Sequence, residues 1–267
     1  MSKFDDVIRD AIRDIEEHGF DSQERLDRWV AQIRQAAKES LVSDIVLQKM
    51  LDSYIKKVYA SQIEKGAILR GHREIPAYRL EMVKPKLHAE LDRRIRASAN
   101  LIKMNREEMI HKTLQRFSGW ATSVPVGGSD AVEFREVSND VKKSIKQLPF
   151  AERRVMIDQG HKFMASLNEI LATDNDALAM VWHSHWRQPG YNYRKDHKER
   201  DKQIYVIRSN WALEKGLMKL AGREYYDDVT HVGEEVFCQC YATWIYNIRD
   251  LPDDMLTSAG KEALKRR

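Results

Sequence analysis

The side chains of this 267-residue sequence best suited to chemistry crowd into its last third. Seven fall between positions 183 and 240: His183, His185, Asp196, His197, His231, Cys238 and Cys240. Imidazole, thiolate and carboxylate are the donors that zinc takes, and Cys238-Gln239-Cys240 with two histidines would close a four-donor site. The metal-ligand candidates are therefore His183, His185, Asp196, His197, Cys238 and Cys240. Standard fingers and ribbons separate their cysteines by two to four residues, whereas one residue stands between these. A strand with packed cysteines, and histidines in hydrogen-bonded turns, is the alternative reading, with no cofactor at all. Side chains two apart on a strand share a face but stand too far apart along it for an easy disulfide. Two thiols in a reducing compartment are expected.

His183-Ser184-His185, with Asp196 eleven residues after the second histidine, resembles the ligand spacing of JAMM-type metalloproteases. That resemblance implies two His and an Asp on zinc, with a distant Glu activating water. Met180-Val181-Trp182 is similar to that family's entry strand, while Trp186 and Tyr193 stand where its Pro and Ser are found. Other catalytic signatures are absent: no P-loop, no dinucleotide fingerprint after a strand, no H-E-x-x-H and no G-x-S-x-G. Val126-Gly127-Gly128-Ser129 has no Lys after it to contact phosphate, and reads as a flexible turn. No paired Glu-x-x-His repeats suggest a di-iron bundle.

Tyr191–Asp201 mixes aromatics with Arg194, Lys195, Lys198 and Arg200 against Asp196, Glu199 and Asp201. It suits either single-stranded nucleic acid, through stacking and Arg contacts, or an internally salt-bridged loop. Arg194, His197 and Asp201 would also supply the cation, base and acid of a nuclease. The net charge of +4 hides an uneven distribution. Lys56–Trp120 holds 15 basic against 7 acidic residues, and Ala221–Gly260 holds 2 against 8. Such asymmetry points to different neighbours for the two stretches, or only to solvated helices.

The elements that must position these residues follow from hydropathy. At 42% hydrophobic and 32% charged, with 12 Gly and 6 Pro, the chain is neither disordered nor collagenous. No run approaches the roughly 18 apolar residues of a membrane span, and the opening residues carry no apolar signal core. Helical spacing runs through Phe4, Ile8, Ile12 and Ile15, then Leu26, Trp29, Ile33 and Ala37, then Leu51, Ile55 and Val58. A long stretch from Leu87 to Phe117 also reads as helix, with a break expected near Ala99-Asn100. The turn-rich segment from Gly119 to Asp130 reads as a junction. Beyond it a helix is expected over about 150–172, then strands at 177–185, 203–207 and 236–244, and a last short helix entered at Pro252. The expected fold is α+β: a mainly helical N-terminal part over 1–118, a linker over 119–148, and a small α+β domain with a short antiparallel sheet over 149–267.

The C-terminal segment resembles the phage head morphogenesis proteins, the Mu F-like minor head proteins. The resemblance is carried by the helix from about Phe150, Trp182, Arg194-Lys195-Asp196-His197 with Asp201 beyond, and Cys238-Gln239-Cys240, in that order. The GWATSVPVGGS loop and the strings WHSHWRQPGYNYRKDHKERD and EEVFCQCYATWIYNIRDLP are similar to those of a tailed-phage subgroup. The resemblance covers about 115–260. It implies a virion component of the phage head, made in the bacterial host cytoplasm and oligomeric in the particle. Its partners would be the portal protein or the major capsid protein; on its charge alone, the basic helical stretch adds packaged DNA as a further candidate. It implies no catalytic residue and no enzyme, and makes Trp182, Arg194, His197, Asp201, Cys238 and Cys240 one structural cluster. The alternative is a zinc-dependent hydrolase or nuclease built on the residues of 183–240.

If Lys56–Trp120 meets DNA or an acidic portal or capsid face, affinity should fall steeply between low and physiological salt, because phosphate contacts release counterions. Binding measured by fluorescence anisotropy that does not respond to salt would reduce the charge to solvation.

Overall fold

The computed structural model describes residues 2–131 and 133–266, and its chain is α+β. Helices α1 (Lys3–His18), α2 (Gln23–Ser40) and α3 (Asp44–Tyr59) come first, α3 running on into one π-helical turn at Ala60–Glu64. A 3-10 turn at Ala67–Arg70 leads to two long helices, α4 (Ala77–Ala121) and α5 (Phe134–Thr173). Then come β1 (Ala179–His183), the single turn α6 (Lys195–Glu199), β2 (Ile204–Val206), α7 (Trp211–Glu214), β3 (Tyr241–Ile245) and α8 (Ser258–Lys265), with short 3-10 turns between.

Two compact units divide the chain: Met1–Asp52 with Ala97–Met156, and Ser53–Arg96 with Ile157–Arg267. This differs from the division at 118 and 149 expected from sequence, because α4 and α5 each contribute to both units. Residues 134–148, expected as linker, are the first turns of α5. Pro149 lies inside that helix and Pro85 inside α4. An internal proline removes a backbone hydrogen bond and costs about 3 kcal/mol. Apolar stripes continue on both sides of each, through Leu80, Val83, Leu87 and Leu91 in α4, and through Val141, Ile145, Leu148 and Val155 in α5, so burial offsets the break. The same continuity removes the expected break at Ala99-Asn100.

In the first unit, Ser2 and Asp5 form a reciprocal capping box that starts α1, and Ser22 caps α2. Their buried stripes meet Leu114, Phe117 and Ile145 in one core. The glycine-rich loop is part of this packing. Gly127 N–H donates to the His18 carbonyl and Ser129 N–H to that of Glu16, giving partners to orphan carbonyls at the end of α1. Gly128 has φ +85°, and a Cβ there would lie 2.2 Å from the Glu16 oxygen.

In the second unit the sheet is antiparallel in the order β2-β1-β3. Strand β1 is central and apolar on both faces. Met180 and Trp182 join Tyr205, Trp244 and the α5 residues Phe163, Leu167 and Leu171 in one cluster. Leu178, Ala179 and Val206 join Ala212, Met218 and Met255 in another. The expected strands at 177–185 and 203–207 contain β1 and β2. The third begins later than expected, at Tyr241, because Phe237 takes a left-handed φ of +59° that no strand accommodates.

Gly128→Ala should destabilise the first unit by more than about 1 kcal/mol, since strain and overlap coincide there. Gly127→Ala, with positive φ but open space around its Cβ, should cost less. Urea denaturation of the two variants compares them, and equal losses would mean that the contact with α1 contributes nothing.

Candidate functional site

Trp182 sits at the end of β1 with no exposed surface and faces the α5 side of the sheet, as its apolar run requires. The chain leaves the sheet at His183 and returns at β2. Asp201 closes this excursion: its carboxylate accepts from the Ser184 N–H at 2.9 Å and the Trp186 indole N–H at 3.0 Å. The Ser184 N–H is the main reason that the Asp201 carboxyl lies below its usual range. Within the excursion, α6 carries His197 inward, where it is 2% exposed and meets Trp182 edge-on at 5.3 Å. Arg200 lies over the same indole, 5.1 Å from its centre, and donates to Thr230 Oγ1 at 2.7 Å.

Cys238 and Cys240 precede β3 in an irregular loop and are 1% and 7% exposed. Several groups hold that loop in place. The Phe237 N–H donates to Asp158 Oδ1 of α5 at 2.6 Å, and Lys162 Nζ to the Glu234 carbonyl at 3.0 Å. Arg194 Nη2 donates to the Val236 carbonyl at 2.9 Å, and the Gln239 N–H to Tyr191 Oη at 3.3 Å. Gly233, at φ +78°, passes so close to α5 that a Cβ would lie 2.9 Å from Ala165 Cβ.

Both sulfurs face one imidazole. His197 Nδ1 is 3.7 Å from Cys238 Sγ and 3.4 Å from Cys240 Sγ. Its other nitrogen, Nε2, is 3.3 Å from Glu235 Oε2 and 3.8 Å from Asp196 Oδ2. Glu235 is ion-paired in turn with Arg194. The two thiols interact directly. Cys238 is drawn down to about 5, first by a hydrogen bond from the Cys240 thiol and further by the N–H groups of Cys240 and Gly233, against its own burial. Cys240 is pushed up by the same hydrogen bond and by burial. Their mutual hydrogen bond thus moves the two thiols in opposite directions. The sulfurs approach because the loop is not extended, which corrects the strand geometry expected for Cys238 and Cys240. No disulfide joins them.

Of the six candidate ligands, the structure brings together His197, Cys238 and Cys240, with Asp196 beside the far nitrogen of the imidazole. His183 and His185 join no such group among the described residues. Strand alternation explains this: His183 points away from Trp182, stacks on Tyr241 at 4.7 Å and hydrogen-bonds Thr243 Oγ1 at 2.9 Å. His185 lies edge-on to the same ring and bonds Gln188 at 3.2 Å. The His183/His185/Asp196 set expected from protease-like spacing is therefore not assembled. His231 pairs with Glu169 at 2.9 Å and stacks on Tyr226. Glu235 was not singled out in the sequence. Its place three residues before Cys238 was the only indication, and an acidic residue there looks like ordinary surface.

Cys240 also forms part of the wall of a cavity of about 440 Å³ whose other walls include Met164, Asn168, Tyr226, Tyr241 and Trp244. Comparison with protein-family models, with curated proteins and with solved structures found no match.

Replacing Trp182 with Ala should destabilise the protein by about 3–5 kcal/mol, the usual cost of emptying a large aromatic site. It should also loosen His197, whose ring rests on it. A loss under about 1 kcal/mol in denaturant titration would mean that the surroundings collapse into the gap and that Trp182 does not organise the site.

Proposed function

We propose that this protein is a minor structural component of a tailed-bacteriophage head, associated with the portal or the inner capsid, assisting head assembly and the packaging or ejection of DNA. The observation that supports this reading is the convergence of Trp182, Arg194, His197, Cys238 and Cys240, the residues that carry the resemblance to the Mu F-like proteins. They lie far apart in sequence; Trp182, His197, Cys238 and Cys240 form one buried knot, and the partly exposed Arg194 pairs with Glu235 at its edge. Asp201, the sixth, ties the same excursion at Ser184. In this reading the knot shapes a domain and catalyses nothing, and the protein works as an oligomer inside the particle after assembly in the host cytoplasm.

The hydrolase and nuclease readings find less support. A nuclease centred on His197 would need its imidazole to reach a phosphodiester, but the ring is buried between Trp182 and the two sulfurs. Asp201 is committed to Ser184 and Trp186, and Arg194 to Glu235 and Val236. The basic stretch also carries less unpaired charge than its composition suggests. Lys84, Lys86, Arg93, Arg94, Lys103, Arg106, Lys112 and Arg116 all make ion pairs within the chain. A protein surface of portal or capsid is therefore favoured over DNA as its main contact.

Mass spectrometry of purified virions and proheads of the phage that encodes this chain should detect it in low copy number. Absence from both particles would falsify the reading.

A further inference from the structure

We propose that His197 Nδ1, Cys238 Sγ and Cys240 Sγ are ligands of a structural zinc ion, with Glu235 orienting the imidazole. The site stands whether or not the protein belongs to a phage head. Its first support is distance. Tetrahedral zinc with Zn–N of about 2.0–2.1 Å and Zn–S of about 2.3 Å places nitrogen and sulfur about 3.5 Å apart. The two observed separations, 3.4 and 3.7 Å, bracket that value, and the three donor atoms all lie within 4.8 Å of one another.

The second support is valence. A ring nitrogen has one proton or one lone pair to offer, so Nδ1 can hydrogen-bond only one sulfur, and the other is left to weak S–H and N–H contacts. One cation between the three satisfies all of them. The sulfurs and the imidazole are almost fully buried, where weakly matched polar groups are costly.

The third is the far side of the ring. Coordination through Nδ1 fixes the proton on Nε2, and metal-bound histidines generally donate that proton to a carboxylate or carbonyl. His197 Nε2 and Glu235 Oε2 are both buried and 3.3 Å apart, and Arg194 Nε pairs with the same oxygen. A small rotation of the ring toward the metal would align them. Three protein donors leave one tetrahedral position, which falls to a water. The Trp182 indole N–H and the Ser184 hydroxyl are buried beside Cys240 and interact with its sulfur, as donors to a metal-bound thiolate do. With its ligands this deeply buried, the site fastens α6 and the cysteine loop to the end of β1.

The test uses the full chain, purified without chelator or a histidine tag. Elemental analysis should find one zinc per chain. Exchange for Co2+ should give the intense visible bands of tetrahedral cobalt with sulfur-to-cobalt charge transfer, and the two thiols should react with a thiol reagent only after chelation. His197→Asn and the Cys238→Ser/Cys240→Ser pair should lose the metal. Because these variants risk misfolding, Glu235→Gln provides a gentler probe. It should keep full occupancy at saturating zinc but bind about 10–100-fold more weakly, as loss of such an orienting partner does elsewhere. His183→Ala and His185→Ala should leave stoichiometry and cobalt spectrum unchanged. The proposal is overturned by metal-free protein with a silent cobalt spectrum, by cysteines found as a disulfide, by unchanged affinity in Glu235→Gln, or by zinc that follows His183 or His185 rather than His197.

Discussion

Two sulfurs and an imidazole cannot be buried together unless each finds a partner, and much of the second unit is arranged around meeting that condition. His197 sits on α6, a helix of five residues, far too short to hold itself in water. Its position comes from its anchors: the Trp182 ring beneath, the sulfurs at Nδ1 and Glu235 at Nε2. The cysteine loop likewise has no regular structure of its own. Each segment is ordered by the other, and both are ordered by the end of β1. Polar contacts of this kind contribute less to net stability than apolar burial but tolerate far less misplacement, so they fix one arrangement.

Helix α5 lets this arrangement persist by presenting two adjacent stripes. Phe163, Leu167 and Leu171, four apart, face the sheet cluster that contains Met180 and Trp182. Asp158, Lys162, Ala165 and Glu169, spaced by four, three and four, meet the loop from His231 to Phe237. Neighbouring positions in a helix are about 100° apart, so apolar and polar work are done by different sides of one rod. The loop thus receives its backbone partners from a helix that the core has already fixed. The left-handed Phe237 is tolerated because its N–H meets a carboxylate of α5, Asp158, which is itself buried.

These causes also explain what could be read from the sequence. Strand β1 was legible because Ala177–Trp182 is apolar on both faces, which only a central strand or a buried helix can use, and its length decided for the strand. The knot was legible in part, since residue type singled out Trp182, His197, Cys238 and Cys240. Assignment of His183 and His185 failed because sequence spacing says nothing about which face of a strand a residue takes until the register is known. The N-terminal turns of α5 were hidden by Pro149, although Val137, Val141, Ile145 and Leu148 keep helical spacing right up to it. A proline is a boundary only where burial on either side is too small to offset it, and that balance is tertiary. Glu235 was illegible for a similar reason: its partners come from positions 194 and 197, and no local pattern brings them near.

Charge is the feature that the fold changes most. In the acidic stretch, Arg208 pairs with Asp227 and Asp228, and Arg223 with Asp254, so much of its surplus is met by neighbours in space. In the basic stretch, Arg106 is buried against Glu152 and the Val42 carbonyl, and Arg94 against Glu90 and Ser166. Buried pairs of this sort fix which segments meet, since removing one partner leaves the other uncompensated. Charges used in that way are not available to steer a distant partner, and their field is largely cancelled within a few ångströms. The uneven charge of the sequence therefore speaks mainly to how the chain packs on itself. The case for a head protein has to rest on the knot at the end of β1, where residues far apart in the chain meet with chemistry that a helical core alone does not require.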